Sequence, residues 1–497
     1  MLDRFFFYPL ALLAELLRKL LTHRRSFFIL INLRWLQRAL NRIGIIRAYW
    51  VYNHARKKCP AYADFLLQHN VARLKFGDSL SHLPETNKEN YIKKYTVEQR
   101  CYGGAIPSKG VVIDESSGSS GVPNNWVRSS SDRAEIKKLL QYTFAFTYPG
   151  RSIFLINCFA LGPWATGMNV SMSLVDVSIM KSVGPDVSKL ENTLKQFGQN
   201  YTYLICGYPP FIKLFLDSTT LDLSRFELHL VTGGEGMSDG LRAFFLKTFK
   251  SAHSSYGASD LDINIGVETE FTIELHALCT SHPELSRALF GQERVPMIFQ
   301  YNPLDYYVEQ SQARELIFTI NRRTSAAPKV RYNLKDLGGV LSCDEVLKIL
   351  EQEKAPVQKL SRHSWLPILF VYGRGDLAVP FYGAKVFSSD VDSIFYDQSL
   401  SAHFNSFKIS TFEDEGLEHY LKIILEKKSL ASAEAAPTAE GLREVFFKEL
   451  KRVNQDFREV SKMFDSGKLI IEIVDFNTGP FKGADLRVKQ NYILKRD

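Results

Sequence analysis

Three absences in the sequence narrow the classes of protein to which it can belong. The apolar N-terminal run, residues 5–13, is too short to span a membrane, because Glu15, Arg18 and Lys19 end it. No block of lysines and arginines marks a nucleic-acid-binding arm, and no small-residue cleavage site follows a basic N-terminal region. We therefore expect no transmembrane segment, no nucleic-acid partner and no signal peptide.

Cysteines are few and widely separated, and no C-x-x-C pair occurs. They stand at positions 59, 101, 158, 206, 279 and 343. Such spacing favours reduced thiols over a disulfide framework, which predicts a cytoplasmic protein. His276, Cys279 and His282 lie close together, but no fourth zinc ligand is evident, so a zinc site is disfavoured.

The length and charge of the chain limit its organisation and its ligands. A chain of 497 residues exceeds the size at which a single core keeps growing, so at least two domains are expected. With 45% apolar and 23% charged residues, the composition is globular rather than disordered. The net charge of +8 suits an anionic ligand such as a nucleotide.

The first 60 residues are predicted to be a helical, basic N-terminal extension. Leu33, Leu36, Leu40 and Ile43 recur at helical spacing, so residues 32–58 should form one amphipathic helix that Pro60 ends. Residues 1–25 have the pattern of a basic amphipathic helix. We favour packing of this helix on its own protein or on a second copy in a homodimer, and a membrane surface is the weaker alternative.

The middle of the chain alternates between short apolar runs and helical patterns. Strands are predicted at residues 153–157, 203–206, 228–232 and 367–372, and helices at 132–142, 190–196 and 239–249 and from Pro209. This alternation predicts an α/β fold with mostly parallel sheets flanked by helices. Residues 315–321 alternate like a half-exposed strand and predict an added antiparallel strand.

Beyond residue 375 the pattern changes to that of a small α+β domain. Strands are predicted at residues 403–411, 417–425 and 469–474, with one helix over residues 442–464 and a surface loop at 429–438. We therefore divide the chain into a large N-terminal domain, residues 1–375, and a small mobile C-terminal lid domain, residues 376–497.

A run of serines and glycines, followed by Val122 and Pro123, is the first candidate site. Its members are Ser116, Ser117, Gly118, Ser119, Ser120 and Gly121. Glycines permit close backbone approach to an anion and serine hydroxyls add donors, so a strand, this loop and a helix would hold phosphate. The run lacks the Walker pattern, and a flexible linker is the alternative.

Four further segments follow this loop in an order that resembles a known enzyme superfamily. They are Gly233, Gly234 and Glu235; Tyr256, Gly257, Ala258, Ser259 and Asp260; Arg331, Tyr332 and Asp336; and Arg374, Gly375 and Asp376. Together the five segments resemble the adenylate-forming superfamily of acyl-CoA synthetases, luciferases and adenylation domains. Within it the chain is most similar to the phenylacetate-CoA ligase branch.

The resemblance implies a function for each segment. The Ser/Gly loop would hold the β- and γ-phosphates of ATP, and Gly233, Gly234 and Glu235 would flank adenine, on which Tyr256 could stack. Asp260 would bind Mg²⁺ and assist catalysis, Asp336 would accept the ribose hydroxyls, and Arg374 would reach ribose or phosphate. Trp164 and Gly257 would line the acyl pocket, and Asp376 would be the hinge about which the small domain turns. Three of these residues have a structural alternative. Asp260 could cap a helix, Asp336 could be a turn residue, and Trp164 could pack in the core.

The sequence departs from the superfamily pattern at three places. Val122 stands where the loop usually has a lysine, and Asp260 stands where the magnesium ligand is usually a glutamate. Ala484 occupies the place of the usual catalytic lysine. We identify Lys482 as the nearest substitute, with Lys489 and Lys495 as rivals, and surface lysines without a catalytic role are the alternative.

The first functional hypothesis is therefore an ATP- and Mg²⁺-dependent ligase that converts a carboxylic acid to its acyl-adenylate. Coenzyme A is the expected acceptor, so that the partners are small molecules. The alternatives are acyl transfer to an amine, which would form an amide, and a nucleotide-binding scaffold without activity. The second alternative is motivated by Val122 and Ala484.

Overall fold

The computed structural model describes most of the chain. It describes all residues except 1, 22, 24–26, 28–30, 117–123, 357–359, 362–363, 375–377, 399, 415–417, 430–436, 484–491 and 495–497, and of residues 2–6 and 397 it describes the backbone alone. Across this range no helix is both long and apolar enough to cross a membrane.

Helices and strands alternate along most of the chain. The helices are α1 (Leu2–Leu21), α2 (Gln37–Lys58), α3 (Pro60–Gln68), α4 (Ser130–Thr147), α5 (Ala165–Leu174), α6 (Val187–Phe197), α7 (Pro209–Ser218), α8 (Asp239–Leu246), α9 (Glu270–Ser281), α10 (Pro283–Phe290), α11 (Cys343–Gln352), α12 (Ser388–Asp397), α13 (Ala439–Val453) and α14 (Gln455–Val460). The strands are β1 (Val111–Ser116), β2 (Asn124–Ser129), β3 (Ile153–Asn157), β4 (Ile179–Ser182), β5 (Thr202–Gly207), β6 (Glu227–Gly233), β7 (Ser251–Tyr256), β8 (Gly266–Val267), β9 (Met297–Tyr301), β10 (Tyr306–Gln310), β11 (Glu315–Ile320), β12 (Tyr332–Leu341), β13 (Ile368–Arg374), β14 (Ala378–Phe381), β15 (Ala384–Phe387), β16 (Phe404–Glu413), β17 (His419–Lys427) and β18 (Leu469–Val474).

These elements form two compact units. The first comprises Met1–Gly184, Ser255–His276 and Met297–Tyr372. The second comprises Pro185–Ser254, Ala277–Pro296 and Gly373–Asp497. The domain division between residues 375 and 376 stays a prediction.

The first unit contains a run of strands in the order β10, β11, β12, β13, β9 and β8. The pairs β10–β11, β11–β12, β13–β9 and β8–β9 are antiparallel. The antiparallel strand expected in residues 315–321 is therefore confirmed as β11, but the expected half-exposure is wrong, because residues 316–320 are all buried. In the same unit β3 pairs with β4 in parallel, as βαβ alternation predicts.

Helices α2 and α3 cover the core of this unit. Aromatic residues of both helices are fully buried, among them Tyr52, Tyr62 and Phe65, together with Leu316 and Phe318 of β11. The predicted end of the first helix is correct, but Pro60 has a second role. It occupies the first turn of α3, where its missing N–H costs nothing and its fixed φ suits a helix start.

Helix α1 packs on its own chain, as one of the favoured alternatives predicts. Phe7, Ala11 and Ala14 are buried on one face of the helix, and Leu16 lies exposed on the other. Contact with a second copy or with a membrane stays a hypothesis for that exposed face.

A buried group of charged side chains holds α1 against the rest of the first unit. The Arg18 guanidinium donates to both carboxylate oxygens of Glu135, at 2.7 and 2.8 Å, and lies 3.5 Å from Asp305. Arg47 of α2 joins the group through Glu15, at 3.1 Å. Burial alone would raise the pKa of Glu135, but the hydrogen bond and the charge of Arg18 outweigh burial and lower it to about 2.

We expect Arg18→Met to destabilise the first unit by about 3–5 kcal/mol at pH 7, because the variant leaves buried carboxylates without their partner. Urea unfolding measures this difference, with the exposed Lys19→Met as the matched control. A Glu135 pKa held below its unfolded value stabilises the fold above about pH 4.3, and this stabilisation is lost as pH falls toward 2. The difference between parent and variant should therefore shrink over that range, and equal losses in both variants would contradict the ion-pair assignment.

The second unit contains the parallel pair β5–β6 and the three-stranded sheet β16–β17–β18. In that sheet β16 and β17 are antiparallel and β17 and β18 are parallel, with α13 and α14 between them in sequence. The predicted β-β-α-β arrangement is confirmed. The prediction of one helix over residues 442–464 is wrong, because Asn454 leaves the helical conformation at φ −127° and caps the N–H of Phe457.

Candidate active site

The Ser/Gly loop joins two strands rather than a strand and a helix. Strands β1 and β2 pair antiparallel, with Ser116 opposite Asn124, and α4 begins only after β2. The predicted order of strand, loop and helix is therefore wrong by one strand. The two asparagines at the start of β2 mask the strand in the sequence, because asparagine is rare in strands.

Within this loop the structure describes Ser116. Its side chain is buried, and its hydroxyl has no hydrogen-bond partner among the described residues. Buried hydroxyls are normally satisfied, so a donor left open at the end of β1 is compatible with a ligand at this loop. The other predicted loop residues, Ser117, Gly118, Ser119, Ser120 and Gly121, lie outside the described residues, as do Val122 and Pro123.

The predicted acyl-pocket loop runs beside the end of β1. The N–H of Glu115 donates to the carbonyl of Pro163 at 2.9 Å, so the residue before Ser116 is paired with the residue before Trp164. Trp164 is half-buried and immediately precedes α5. A Cβ at Gly167 would lie 2.2 Å from the carbonyl oxygen of Ala160, so the first turn of α5 needs glycine at this position.

Arg128 of β2 links the hairpin to the segment that contains Tyr256 and Asp260. Its guanidinium donates to the carbonyls of Ser259 and Leu261, and its Nε lies 3.3 Å from Asp114 of β1. The strand that leaves the Ser/Gly loop is thereby held against the third predicted segment. Arg128 was not predicted as a site residue, because nothing in the surrounding sequence distinguishes it from a solvated strand residue.

Two residues of different predicted segments meet in a hydrogen bond. The Tyr256 hydroxyl donates to Oδ2 of Asp336 at 2.6 Å, and both side chains lie in the first unit. Burial raises the pKa of Tyr256 well above its usual value, and the charge of Asp336 adds to the effect, so the phenol stays a donor. The tyrosine thus fixes the orientation of the carboxylate predicted to bind ribose.

The backbone after Tyr256 is closely packed. A Cβ at Gly257 would lie 2.3 Å from the carbonyl oxygen of Ile263, so any side chain there would displace the turn. The N–H of Ala258 donates to the carbonyl of Asp262 at 2.8 Å and closes the same turn. This explains the glycine at position 257, independently of a role in an acyl pocket.

Asp260, the predicted magnesium ligand, is buried and engaged by two side chains. Its Oδ2 accepts from the Tyr332 hydroxyl at 2.8 Å, and its Oδ1 lies 3.4 Å from Nζ of Lys88. Tyr332 belongs to the fourth predicted segment, so this contact joins two more motif residues. Lys88, which follows the capping residue Asn87, was missed because no local pattern relates it to Asp260.

Other predicted site residues belong to the second unit. Gly234 follows β6 with φ +84°, and a Cβ there would lie 2.6 Å from the ring of Tyr208, which explains the glycine. The side chain of Glu235 accepts from the hydroxyl of Tyr492 at 3.3 Å, while Gly233 and Arg374 end strands β6 and β13.

The C-terminal lysines are described in part. Lys482 follows the short helical turn Gly479–Phe481, is exposed, and has no side-chain partner among the described residues. Gly375, Asp376, Ala484, Lys489 and Lys495 lie outside the described residues. Within the described part of the chain, no three histidine, cysteine, aspartate or glutamate side chains are grouped closely enough to hold a metal ion.

Neither a protein-family model nor a curated protein sequence matches this chain, but solved structures do. A 2-hydroxyisobutyryl-CoA ligase in the postadenylation state, in complex with R3-HIB-AMP, is 13% identical, with a TM-score of 0.67 over 92% of this chain and 89% of that one. The acyl acid amido synthetase AtGH3.15 in complex with 2,4-DB is 10% identical, with a TM-score of 0.58 over 96% and 95%. An open conformation of the first enzyme, with 2-HIB-AMP and CoA, is 14% identical, with a TM-score of 0.53 over 92% and 91%.

These likenesses establish the fold. The chain has the α/β fold of adenylate-forming enzymes, with a small α+β region at its C-terminal end, as the resemblance predicts.

Proposed function

We propose that this protein activates a carboxylic acid with ATP, forms the acyl-adenylate with release of pyrophosphate, and then transfers the acyl group to coenzyme A. The observation that carries the proposal is the hydrogen bond from Tyr256 to Asp336, which joins two segments far apart in sequence. A half-buried tyrosine whose hydroxyl orients a carboxylate is an arrangement suited to binding a pair of vicinal hydroxyls, as on ribose.

Each predicted segment receives a role in this proposal. The buried hydroxyl of Ser116 and the rest of the Ser/Gly loop would bind the β- and γ-phosphates, and Arg128 would keep that hairpin beside Asp260. Asp336 would accept the ribose hydroxyls, with Gly233, Gly234 and Glu235 beside adenine. Arg374 would bind ribose or phosphate, and Trp164 would line the acyl pocket.

The chemistry that remains is attack of the substrate carboxylate on the α-phosphate. Both reactants are anions, so the protein must hold them in line and supply positive charge as the leaving pyrophosphate develops. Lys88 lies 3.4 Å from Asp260, and the exposed Lys482 has no side-chain partner among the described residues. We assign the positive charge at the α-phosphate to Lys482. Asp376 would be the hinge about which the small C-terminal domain turns.

The residues around Asp260 fit a magnesium ion that arrives with the nucleotide. Mg²⁺ in nucleotide sites is usually bound by one or two carboxylates together with substrate phosphates, so the single carboxylate of Asp260 suffices. When bound, the ion would neutralise charge on the phosphates. Asp260 would then exchange its contact with Lys88 for the ion, and Tyr332 would keep the other oxygen oriented.

An amine is the second candidate acceptor. The observation that favours it is the similarity to an acyl acid amido synthetase over nearly the whole of both chains, with a TM-score of 0.58. Both acceptors attack the same carbonyl of the same adenylate, so the first half-reaction is common to both candidates.

We expect the purified protein to catalyse exchange between pyrophosphate and ATP when the right carboxylic acid is present. A panel of short hydroxylated, aromatic and long-chain acids, each assayed with Mg²⁺ and without acid as the blank, identifies the substrate class. Asp260→Asn is the matched variant, since it keeps the volume and removes the charge, and it should exchange at least about 100-fold more slowly. Preformed adenylate offered to coenzyme A or to amines then identifies the acceptor.

If none of the acids in the panel supports exchange, activation of a carboxylic acid is contradicted and a nucleotide-binding scaffold without activity is favoured. Exchange at the parental rate in Asp260→Asn would contradict the magnesium assignment while leaving the reaction itself established.

A further inference from the structure

A small cavity lies in the first unit behind strand β2. Its volume is about 20 Å³, enough for one water-sized particle. Trp126 of β2, Arg100 and Lys329 line it, with Asp132 and Asp262 at its wall. The proposed function assigns no role to Trp126, Arg100 or Lys329.

The polar groups at this cavity that lack a hydrogen-bond partner among the described residues are donors. Nε1 of Trp126 is buried and has no acceptor among the described residues, although the side chain is only 2% exposed. Nζ of Lys329 lies 4.2 Å from the centre of the Trp126 ring, is buried, and has no hydrogen bond or ion pair to a described residue. The Arg100 guanidinium lies 5.8 Å from the same ring and donates to the carbonyls of Thr96 and Asn125.

The carboxylates at the cavity wall are already engaged elsewhere. Asp132 accepts from the Ser325 hydroxyl at 2.5 Å and from the N–H of Ala326 at 3.2 Å. Asp262 pairs with Arg322 and accepts from the Tyr306 hydroxyl at 2.8 Å. Two cations, Lys329 and Arg100, therefore meet at the cavity with no carboxylate in contact among the described residues.

The charged side chains that line the cavity carry a formal net charge of +1, with Arg100, Arg128 and Lys329 against Asp132 and Asp262. Burial of Lys329, together with the neighbouring guanidinium charges of Arg100 and Arg128, lowers its pKa to about 7, and the charge of Asp260 offsets only part of this effect. The groups that face the ammonium are Arg100, Arg128, Asp260, Cys101, Cys59, Trp126 and Tyr332. An anion in the cavity would favour the charged amine and offset this imbalance.

We propose that this cavity binds one small monovalent anion of halide size, held by Nζ of Lys329, the indole N–H of Trp126 and the guanidinium of Arg100. The open donors and the unpaired cations exclude a metal cation, and the volume excludes phosphate, a nucleotide or an organic acid. A water molecule would accept these hydrogen bonds but leave both charges uncompensated. The bound anion would stabilise the strand that leaves the Ser/Gly loop.

Crystals of the full chain grown at pH 6 with sodium bromide test the site directly, because that pH is below the Lys329 pKa of about 7. Bromide scatters anomalously, so we expect an anomalous peak within hydrogen-bond distance of both Nζ of Lys329 and Nε1 of Trp126. A cavity that is empty, or that contains density without an anomalous signal, would overturn the proposal.

Thermal unfolding at pH 6 gives an independent test in solution. Replacing sodium gluconate by sodium chloride at equal ionic strength should raise the Tm of the parent by about 2–4 °C. Lys329→Met and Trp126→Phe should lose this rise, while the exposed control variants Lys109→Met and Trp35→Phe should keep it.

Lys329→Met removes a buried charge and keeps the volume, so it should be at least as stable as the parent in gluconate. If Lys329→Met nevertheless fails to fold, the chloride response of Trp126→Phe and the bromide crystal of the parent test the anion site instead. An equal chloride-induced rise in the parent and in Lys329→Met would refute a specific site.

Discussion

Asp336→Ala should abolish most of the increase in Tm that ATP produces in the parent protein. Asp336 is nearly buried, and the Tyr256 hydroxyl at 2.6 Å fixes its carboxylate before any ligand binds. Two charge-assisted hydrogen bonds from a ribose would contribute roughly 1.5–3 kcal/mol each, and neither the methyl of alanine nor a water in its place would restore them. Differential scanning fluorimetry over a range of ATP concentrations measures the loss.

Two variants separate this effect from a loss of stability. Tyr256→Phe keeps the carboxylate and removes its orienting donor, so it should weaken the ATP-induced shift less than Asp336→Ala does. Asp78→Ala removes an exposed aspartate of the same unit and should leave the shift unchanged. If Asp336→Ala keeps the parental shift, the ribose assignment is wrong, whatever the fate of the proposed reaction.

Local features of the fold could be predicted from the sequence because they have local causes. Strand β3 contains five consecutive buried residues, and β18 begins and ends where the apolar run does. The antiparallel strand β11 could be predicted as a strand, although residues 316–320 are all buried and do not alternate in exposure. In each case the hydrophobic pattern is set by burial of the element itself, which a single sequence displays.

The errors came from residues whose conformation depends on distant partners. Asn454 interrupts the predicted C-terminal helix while its amide donates to Asp390 at 2.7 Å and to the carbonyl of Lys385 at 2.9 Å. Strand β2 was missed because its buried residues include Arg128, whose burial depends on carbonyls of Ser259 and Leu261. No window of sequence contains both partners of such contacts.

In the candidate site, too, the order of the motifs could be read from the sequence, but the contacts between them could not. The order of the five segments carried the resemblance, but it did not show that Tyr256 donates to Asp336 or that Tyr332 donates to Asp260. Lys88 had no motif around it and became a candidate only through its distance to Asp260. The sequence therefore proposed the candidate residues, and the structure shows which of them are hydrogen-bonded to each other.

Lys482→Ala should slow formation of the adenylate by about 100- to 1,000-fold, the cost of removing one preorganised donor from a developing oxyanion. The ammonium follows the turn Gly479–Phe481, is exposed and has no partner among the described residues, so it is available to a ligand. Transfer from supplied adenylate should remain close to the parental rate. The lysine acts where negative charge gathers on the α-phosphate, whereas a thiol or amine attacks the carbonyl.

Pyrophosphate exchange and single-turnover transfer, measured side by side, test whether Lys482 acts in adenylate formation and not in acyl transfer. Lys482→Arg should recover little exchange, because a planar guanidinium cannot reproduce a compact ammonium at the same distance. Lys462→Ala, which removes a surface lysine paired with Glu459, is the matched control and should exchange like the parent. If Lys489→Ala or Lys495→Ala is crippled instead, the catalytic lysine is that residue, and if all three variants exchange normally, the C-terminal segment has no role in adenylation.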